Sequence, residues 1–147
     1  MIIRPATSED RPGIEEIARD AYKIYVPRIG REPAPMNDDY GQLISAGQAF
    51  VAVEGNGAVG ILVLMDEPGA LLLDNVAVRP EAQGRGFGKE LILFAQEEAR
   101  RRGHPAVRLY TNQAMTENVA FYERLGFTET HRCEDKGFRR VFMEKRL

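Results

Sequence analysis

Three glycines at alternate positions, Gly84, Gly86 and Gly88, lie among Gln83, Arg85, Phe87 and Lys89, and this stretch is the part of the sequence best suited to chemistry. Without Cβ atoms, such a stretch can curl tightly and bring its backbone close to a ligand. It follows the apolar segment Leu71 to Val78 and runs directly into a helix-like pattern. The first N–H groups of a helix have no intrahelical acceptor and lie at the positive end of its dipole, an arrangement that binds phosphate. Arg85 and Lys89 point the same way: a cation at an exposed helix start opposes the dipole by about 0.3–1 kcal/mol, and a bound polyanion would reverse that penalty. A solvated cation pair softened by Glu90, with the glycines serving only a turn, explains the same residues equally well.

Spacing removes two phosphate loops. A P-loop needs glycine where Gln83 stands and Ser or Thr where Glu90 stands. A dinucleotide fingerprint starting at Gly84 needs glycine where Lys89 stands. Elsewhere, Asn118 and Tyr122 are four apart and share one face of a short helix. His104 and His131 lack metal-ligand spacing, and Cys133 has no recognisable base nearby, so no metal and no thiol nucleophile are expected.

The elements that must position these residues are readable in order. Ile2-Ile3-Arg4 forms a strand, and Thr7 or Ser8 caps a helix whose apolar face is Ile14, Ile17, Ala18, Ala21 and Tyr25. Four proline and glycine positions make Val26 to Met36 a loop, followed by a short helix from about Asn37 to Ala46. Ala49 to Glu54 and Ala58 to Met65 form a hairpin across Gly55-Asn56-Gly57, and Leu71 to Val78 is a central strand ended by Pro80. A long helix from about Gly86 to Arg102 carries expected i,i+4 pairs Glu97–Arg101 and Glu98–Arg102. After it come a strand from Ala106 to Thr111, a helix from Glu117 to Leu125 closed by Gly126 and Phe127, and strands near Phe127 to His131 and Phe138 to Arg146. Hairpins and crossover helices together imply an α/β fold, with a mixed sheet and helices on both faces.

Composition narrows the classes. The 147 residues suit one domain, 1–147, and 44% hydrophobic with 29% charged residues excludes a disordered or coiled-coil chain. A net charge of -2 lacks the basic excess of a nucleic-acid binder. A single cysteine, no apolar leader and no bilayer-length apolar run lead us to expect a cytoplasmic protein with no membrane partner.

Gln-x-x-Gly-x-Gly, here Gln83 to Gly88 after Val76-Ala77-Val78, resembles the acyl-CoA loop of the GCN5-related N-acetyltransferase (GNAT) superfamily. Asn118-Val119-Ala120-Phe121-Tyr122-Glu123-Arg124-Leu125-Gly126-Phe127 is similar to the family's second cofactor motif, and Ile3-Arg4-Pro5-Ala6-Thr7 to many family N-termini. The order of elements resembles that fold from end to end. The resemblance implies a mostly antiparallel sheet of about seven strands, the fourth and fifth splayed to admit the pantetheine arm. It implies acetyl-CoA as cosubstrate, a homodimer as a frequent family assembly, and N-acetylation of a small-molecule or amino-acid-like primary amine.

The resemblance also distributes roles. The backbone of Val76 and Val78 would pair with the pantetheine and acetyl carbonyl, while Gln83, Gly84, Arg85, Gly86, Phe87, Gly88 and Lys89 surround the pyrophosphate. Asn118 would lie on the pantetheine or phosphate side and Tyr122 near the thioester sulfur. A tyrosine of reference pKa about 10 is protonated at neutral pH and can supply a departing thiolate. The base is less determined: Tyr110, Thr111 and Asn112 on the fifth strand include no carboxylate, Asp74 shares the face of Val76 and Val78, Leu72 stands equally well where relatives keep an acid, and a water relay serves too. Acceptor selection falls to Tyr22, Tyr25, Arg28, Arg31, Asp38, Asp39 and Tyr40, whose charges are mixed. The competing readings are a protein or peptide acceptor, a non-catalytic acyl-CoA-binding module, and a phosphate-binding domain unrelated to CoA.

Overall fold

Alternating burial along Ala70–Val78, with residues 71, 73, 75 and 77 buried and 72, 74, 76 and 78 half-exposed, makes this segment a strand with two unlike faces. It is the fourth strand, β4, of a seven-stranded sheet in a computed structural model that describes Met1–Leu147. The others are β1 (Ile2–Pro5), β2 (Ala49–Glu54), β3 (Gly57–Glu67), β5 (Ala106–Asn112), β6 (Thr128–Asp135) and β7 (Phe138–Arg146), in the order β1-β2-β3-β4-β5-β7-β6. Pairing is antiparallel for β1–β2, β2–β3, β5–β7 and β6–β7 and parallel for β4–β5, where Leu71, Leu72 and Leu73 stand opposite Val107, Arg108 and Leu109. Helices α1 (Arg11–Tyr22), α2 (Val26–Ile29), α3 (Tyr40–Ser45), α4 (Phe87–Arg101) and α5 (Thr116–Arg124) complete the expected α/β order. None is long and apolar enough to cross a membrane.

Backbone proximity divides the chain into two compact units, Met1–Leu64 with Asn75–Phe94, and Met65–Asp74 with Ala95–Leu147. In the first, Ile14, Ile17, Ala18 and Ala21 form the buried stripe of α1, as their spacing predicts. Tyr25 falls outside it, because α1 stops at Tyr22 and a 3-10 turn, Lys23–Tyr25, follows. Thr7 does not cap α1 directly. It closes a preceding 3-10 turn, its N–H donating to Asp10 Oδ2 at 2.8 Å while Asp10 N–H donates to Thr7 O at 2.9 Å. The expected loop from Val26 to Met36 is partly helical. Pro27 sits in the first turn of α2, where a missing N–H costs nothing, and Gly30 closes it at φ +86°. Ala34–Asn37 adds a 3-10 turn, and α3 begins at Tyr40 because Asp39 Oδ1 accepts from Gln42 N–H. The core of this unit is Val51, Ala52, Ile61, Leu62, Val63, Leu91 and Ile92, whose larger members each contribute about 1.5–3 kcal/mol by burial. At Gly60 a Cβ would meet Ala77 O and Leu91 Cδ1 at 3.0 Å, so a larger residue would press on the β4 backbone and on α4.

In the second unit, Phe127 is buried and its N–H donates to Tyr122 O at 3.1 Å behind Gly126 at φ +96°, the helix ending expected for α5. Strand β6 runs on to Asp135, beyond the expected His131, and turns through Lys136 and Gly137. The ion pairs at the end of α4 also differ from expectation. Arg101 reaches Glu98 rather than Glu97, Arg100 takes Glu97, and only Glu98–Arg102 has the expected i,i+4 spacing.

Candidate functional site

Strand β4 delivers the backbone of Val76 and Val78 to a defined edge. Arg79 N–H donates to Val59 O on β3 at 2.7 Å, so by strand alternation Ala77 also faces β3, and Val76 and Val78 direct their backbone groups to the other side. Neither carbonyl there is idle. Val76 O accepts from the Tyr22 hydroxyl at 3.1 Å, and Val78 O accepts from Gln83 Nε2 at 3.1 Å. Side chains thus serve an edge that a strand would otherwise occupy.

Beyond β4 the chain makes a 3-10 turn, Pro80–Ala82, and enters the glycine stretch. Gly84 and Gly86 have φ of +82° and +84°, values that only glycine adopts without strain, and nothing lies within 4 Å of where either Cβ would be. Glu90 N–H is bonded to Gly86 O at 3.1 Å, which makes Gly86 the residue that starts α4 and leaves the N–H groups of Phe87, Gly88 and Lys89 without an intrahelical acceptor. Arg85 ion-pairs with Glu54 at 3.1 Å and lies over the Phe87 ring, 4.9 Å from its centroid. Gln83 to Gly86 therefore form a bend that runs straight into the first turn of α4, Phe87 to Lys89, with open space where Cβ atoms of Gly84 and Gly86 would stand.

In the second unit the structure joins two residues that the sequence offered separately. The Tyr110 hydroxyl donates to Asp74 Oδ1 at 2.6 Å, which leaves Asp74 Oδ2 without a hydrogen-bond partner. Arg140, 7% exposed, places its guanidinium 4.2 Å from the centre of the Tyr110 ring and ion-pairs with Asp135 at 2.7 Å. On α5, Asn118 Nδ2 donates to Met115 Sδ at 3.4 Å, and Tyr122 is 6% exposed with its ring against Phe121 and Phe127.

Asn75 and Arg140 are absent from the sequence-derived site. Asn75 is 3% exposed, and its Nδ2 donates to the Tyr40 hydroxyl at 3.0 Å while its Oδ1 accepts from Tyr22. The signal was a polar residue in the buried phase of an apolar strand, where an amide must find partners. Arg140 left no comparable signal, since arginine at a strand position ordinarily faces water. His131, set aside for metal, stacks on Phe142 at 4.4 Å, and Cys133 is exposed.

The family model of the acetyltransferase (GNAT) domain matches residues 45–129. The uncharacterized N-acetyltransferase YjgM of Escherichia coli is 31% identical over 135 residues, covering 86% of this chain and 81% of that protein. YvbK of Bacillus subtilis, another uncharacterized N-acetyltransferase, is 29% identical over 94 residues, covering 63% of this chain and 61% of its own length, so the chain spans less than two thirds of that relative. In fold, the chain resembles the PaiA N-acetyltransferase of Thermoplasma acidophilum, solved in complex with coenzyme A, with a TM-score of 0.83, 21% identity and 99% and 98% of the two chains covered. With the matched domain spanning more than half its length and bracketing both the glycine bend and α5, the chain belongs to the GNAT acetyltransferase family.

Proposed function

We propose that residues 1–147 form a single domain that uses acetyl-CoA to acetylate the primary amine of a small-molecule or amino-acid-like acceptor by direct attack. The carrying observation is the β4 edge, where the Val76 and Val78 carbonyls take side-chain donors instead of a strand and so can take the amides of a pantetheine arm. The open bend supports the same ligand. Gln83 to Lys89 would hold the pyrophosphate, mainly through main-chain N–H groups, with Arg85 and Lys89 adding charge, and Asn118 would bind on the pantetheine or phosphate side.

When bound, acetyl-CoA supplies the thioester. The residues of the chain then manage two protons. An alkyl ammonium, of reference pKa about 10.4 with lysine as guide, must lose a proton before it attacks. Asp74 Oδ2 accepts it, directly or through water, while Tyr110 holds the carboxylate by its other oxygen. The Tyr122 hydroxyl carries the proton for the sulfur that leaves. A group of three or more His, Cys, Asp or Glu arranged to hold a metal is not found, and none of these steps needs one. The cytoplasm is the expected setting, and sedimentation of the purified protein tests whether it forms the homodimer frequent in the family.

Arg28, Arg31, Asp38 and Asp39 bring both signs of charge to the acceptor segment, a mixture that selects no substrate class by itself. The nourseothricin acetyltransferase structure, 26% identical over 67% of this chain with a TM-score of 0.61, supports a small acceptor. A protein N-terminus is the rival reading, prompted by the ribosomal-protein-S18-alanine N-acetyltransferase of Escherichia coli at 18% identity and a TM-score of 0.76. Thiol release from acetyl-CoA, measured against free amines, amino acids and N-terminal peptides, separates the two. Turnover with free amines is expected, and turnover with peptides alone contradicts it.

A further inference from the structure

A buried arginine ordinarily has its donors matched by acceptors. Arg140 on β7 is 7% exposed, yet Nη1 alone makes a hydrogen bond, to Asp135 Oδ2 at 2.7 Å. Nε and Nη2 make none. Nor are they sealed in: the buried side-chain nitrogen and oxygen atoms that lack a partner are Glu54 Oε2 and Gln96 Nε2, so the idle Arg140 nitrogens reach the surface. Together Nε and Nη2 form one edge of the guanidinium, whose parallel N–H groups can meet both oxygens of a single carboxylate. The edge is held in place by aromatic rings, with Arg140 Cζ 4.2 Å from the centre of Tyr110 and 5.9 Å from that of Phe138. Asp135 balances the charge from the end of β6, with 43% of its side chain exposed, so it is a counter-ion shared with water.

The surroundings give this edge a use. Tyr110, under the guanidinium, donates to Asp74 Oδ1 at 2.6 Å, and Asp74 Oδ2 is the atom assigned to the ammonium proton. Phe142 stands two residues along β7 from Arg140 and opposite Tyr110 on β5, with the two rings 5.8 Å apart. One phenol is thus contacted by a carboxylate at its hydroxyl and by a guanidinium over its ring. We propose that Arg140 is a specificity residue: its Nε–Nη2 edge takes a carboxylate of the acceptor while Asp74 takes the amine, so the acceptor is an amino acid or a related amino-carboxylate. This inference rests on the acetyl-transfer reading above and narrows its acceptor class.

Thiol release from acetyl-CoA with paired acceptors tests it, each pair being a free amino acid and its carboxamide. The quantity read is the kcat/KM ratio of acid to amide in a variant, divided by that ratio in the wild type, so the intrinsic reactivity of each amine cancels. Arg140→Gln should lower this quantity about ten- to hundredfold, the effect of losing a charge-assisted hydrogen-bonded pair. Arg140→Lys keeps the charge without the edge and should fall between. Asp135→Asn removes the competing carboxylate and should raise the quantity about three- to tenfold. If Arg140 only holds β6 and β7 together, its variants slow acids and amides alike, and a ratio unmoved in all three variants overturns the proposal. Asp135 is exposed enough for its variant to decide alone if the Arg140 variants do not fold, and an unchanged or lowered ratio there is the contradicting result. Turnover with neither member of any pair would instead remove the small-acceptor reading, and this proposal with it.

Discussion

At one end of α4, Gly86 stands at φ +84° beside Arg85 and Lys89; at the other, Gly103 stands at φ +81° behind Arg100, Arg101 and Arg102. The residue types match, yet the physics is opposite. The C-terminal arginines face the negative end of the dipole and are matched by carboxylates, Arg100 by Glu97, Arg101 by Glu98 at 2.8 Å, and Arg102 by Glu98 at 3.0 Å and Asp66 at 3.2 Å. The N-terminal cations oppose their end of the dipole. Arg85 has Glu54, and Lys89 has no carboxylate partner. One end of the helix is electrostatically complete, while the other carries positive charge and unbonded N–H groups that an anion would satisfy. The pair shows how to tell a structural cluster of cations from a binding one: by whether the fold itself supplies the counter-charge.

Equivalent substitutions at the two ends should therefore diverge. Gly86→Glu and Gly103→Glu impose similar backbone strain, since both positions have positive φ and open space around the missing Cβ. Only the first should abolish coenzyme A binding, with a loss of about a hundredfold or more by calorimetry, against no more than about twofold for the second. Equal losses would mean that strain, not charge, governs the effect. Tyr122→Phe, away from both ends, should lower kcat by about 10²–10³-fold with little change in the affinity for coenzyme A. A matching fall in melting temperature and rate would make Tyr122 a core aromatic instead.

How far the site could be read in the sequence follows the same division. Gln83 to Lys89 are consecutive, so spacing exposes a glycine turn that opens a helix, whereas its assignment to acyl-CoA came from the resemblance. The hairpin at Gly55-Asn56-Gly57 and the ending of α5 at Gly126 were legible for the same reason: each is decided within a few residues. Asn75, Tyr22 and Tyr40 are separated by long stretches of chain, and only the fold brings their polar atoms together. Tyr110 and Asp74 were each considered, but their hydrogen bond depends on the parallel register of β4 and β5, which no local pattern encodes. The prolines between Val26 and Met36 misled because proline both breaks helices and begins them, and Pro27 here does the second.

Smaller effects should sharpen the contrast. Lys89→Ala should weaken coenzyme A by about three- to tenfold and flatten its dependence on salt, while raising rather than lowering the melting temperature of the unliganded protein. Glu98→Gln should do the reverse, leaving coenzyme A affinity unchanged and lowering the melting point slightly at neutral pH. The Arg101 side chain, and then Arg102, hold the Glu98 carboxyl below its ordinary value of 4.5. A carboxyl with a lowered folded-state pKa stabilises fully above its unfolded value and loses that contribution as the pH falls through the folded one. The melting difference between wild type and Glu98→Gln should accordingly close as the pH falls below 4.5. A gap that persists in acid would show that the C-terminal ladder does not act through this ionised carboxylate.

The most direct measurement is a crystal structure of the protein with coenzyme A. The diphosphate should accept hydrogen bonds from main-chain N–H groups between Gly84 and Lys89, and the pantetheine amides should pair with Val76 and Val78. Coenzyme A seated elsewhere, or a bend left empty at saturating concentration, would contradict the assignment.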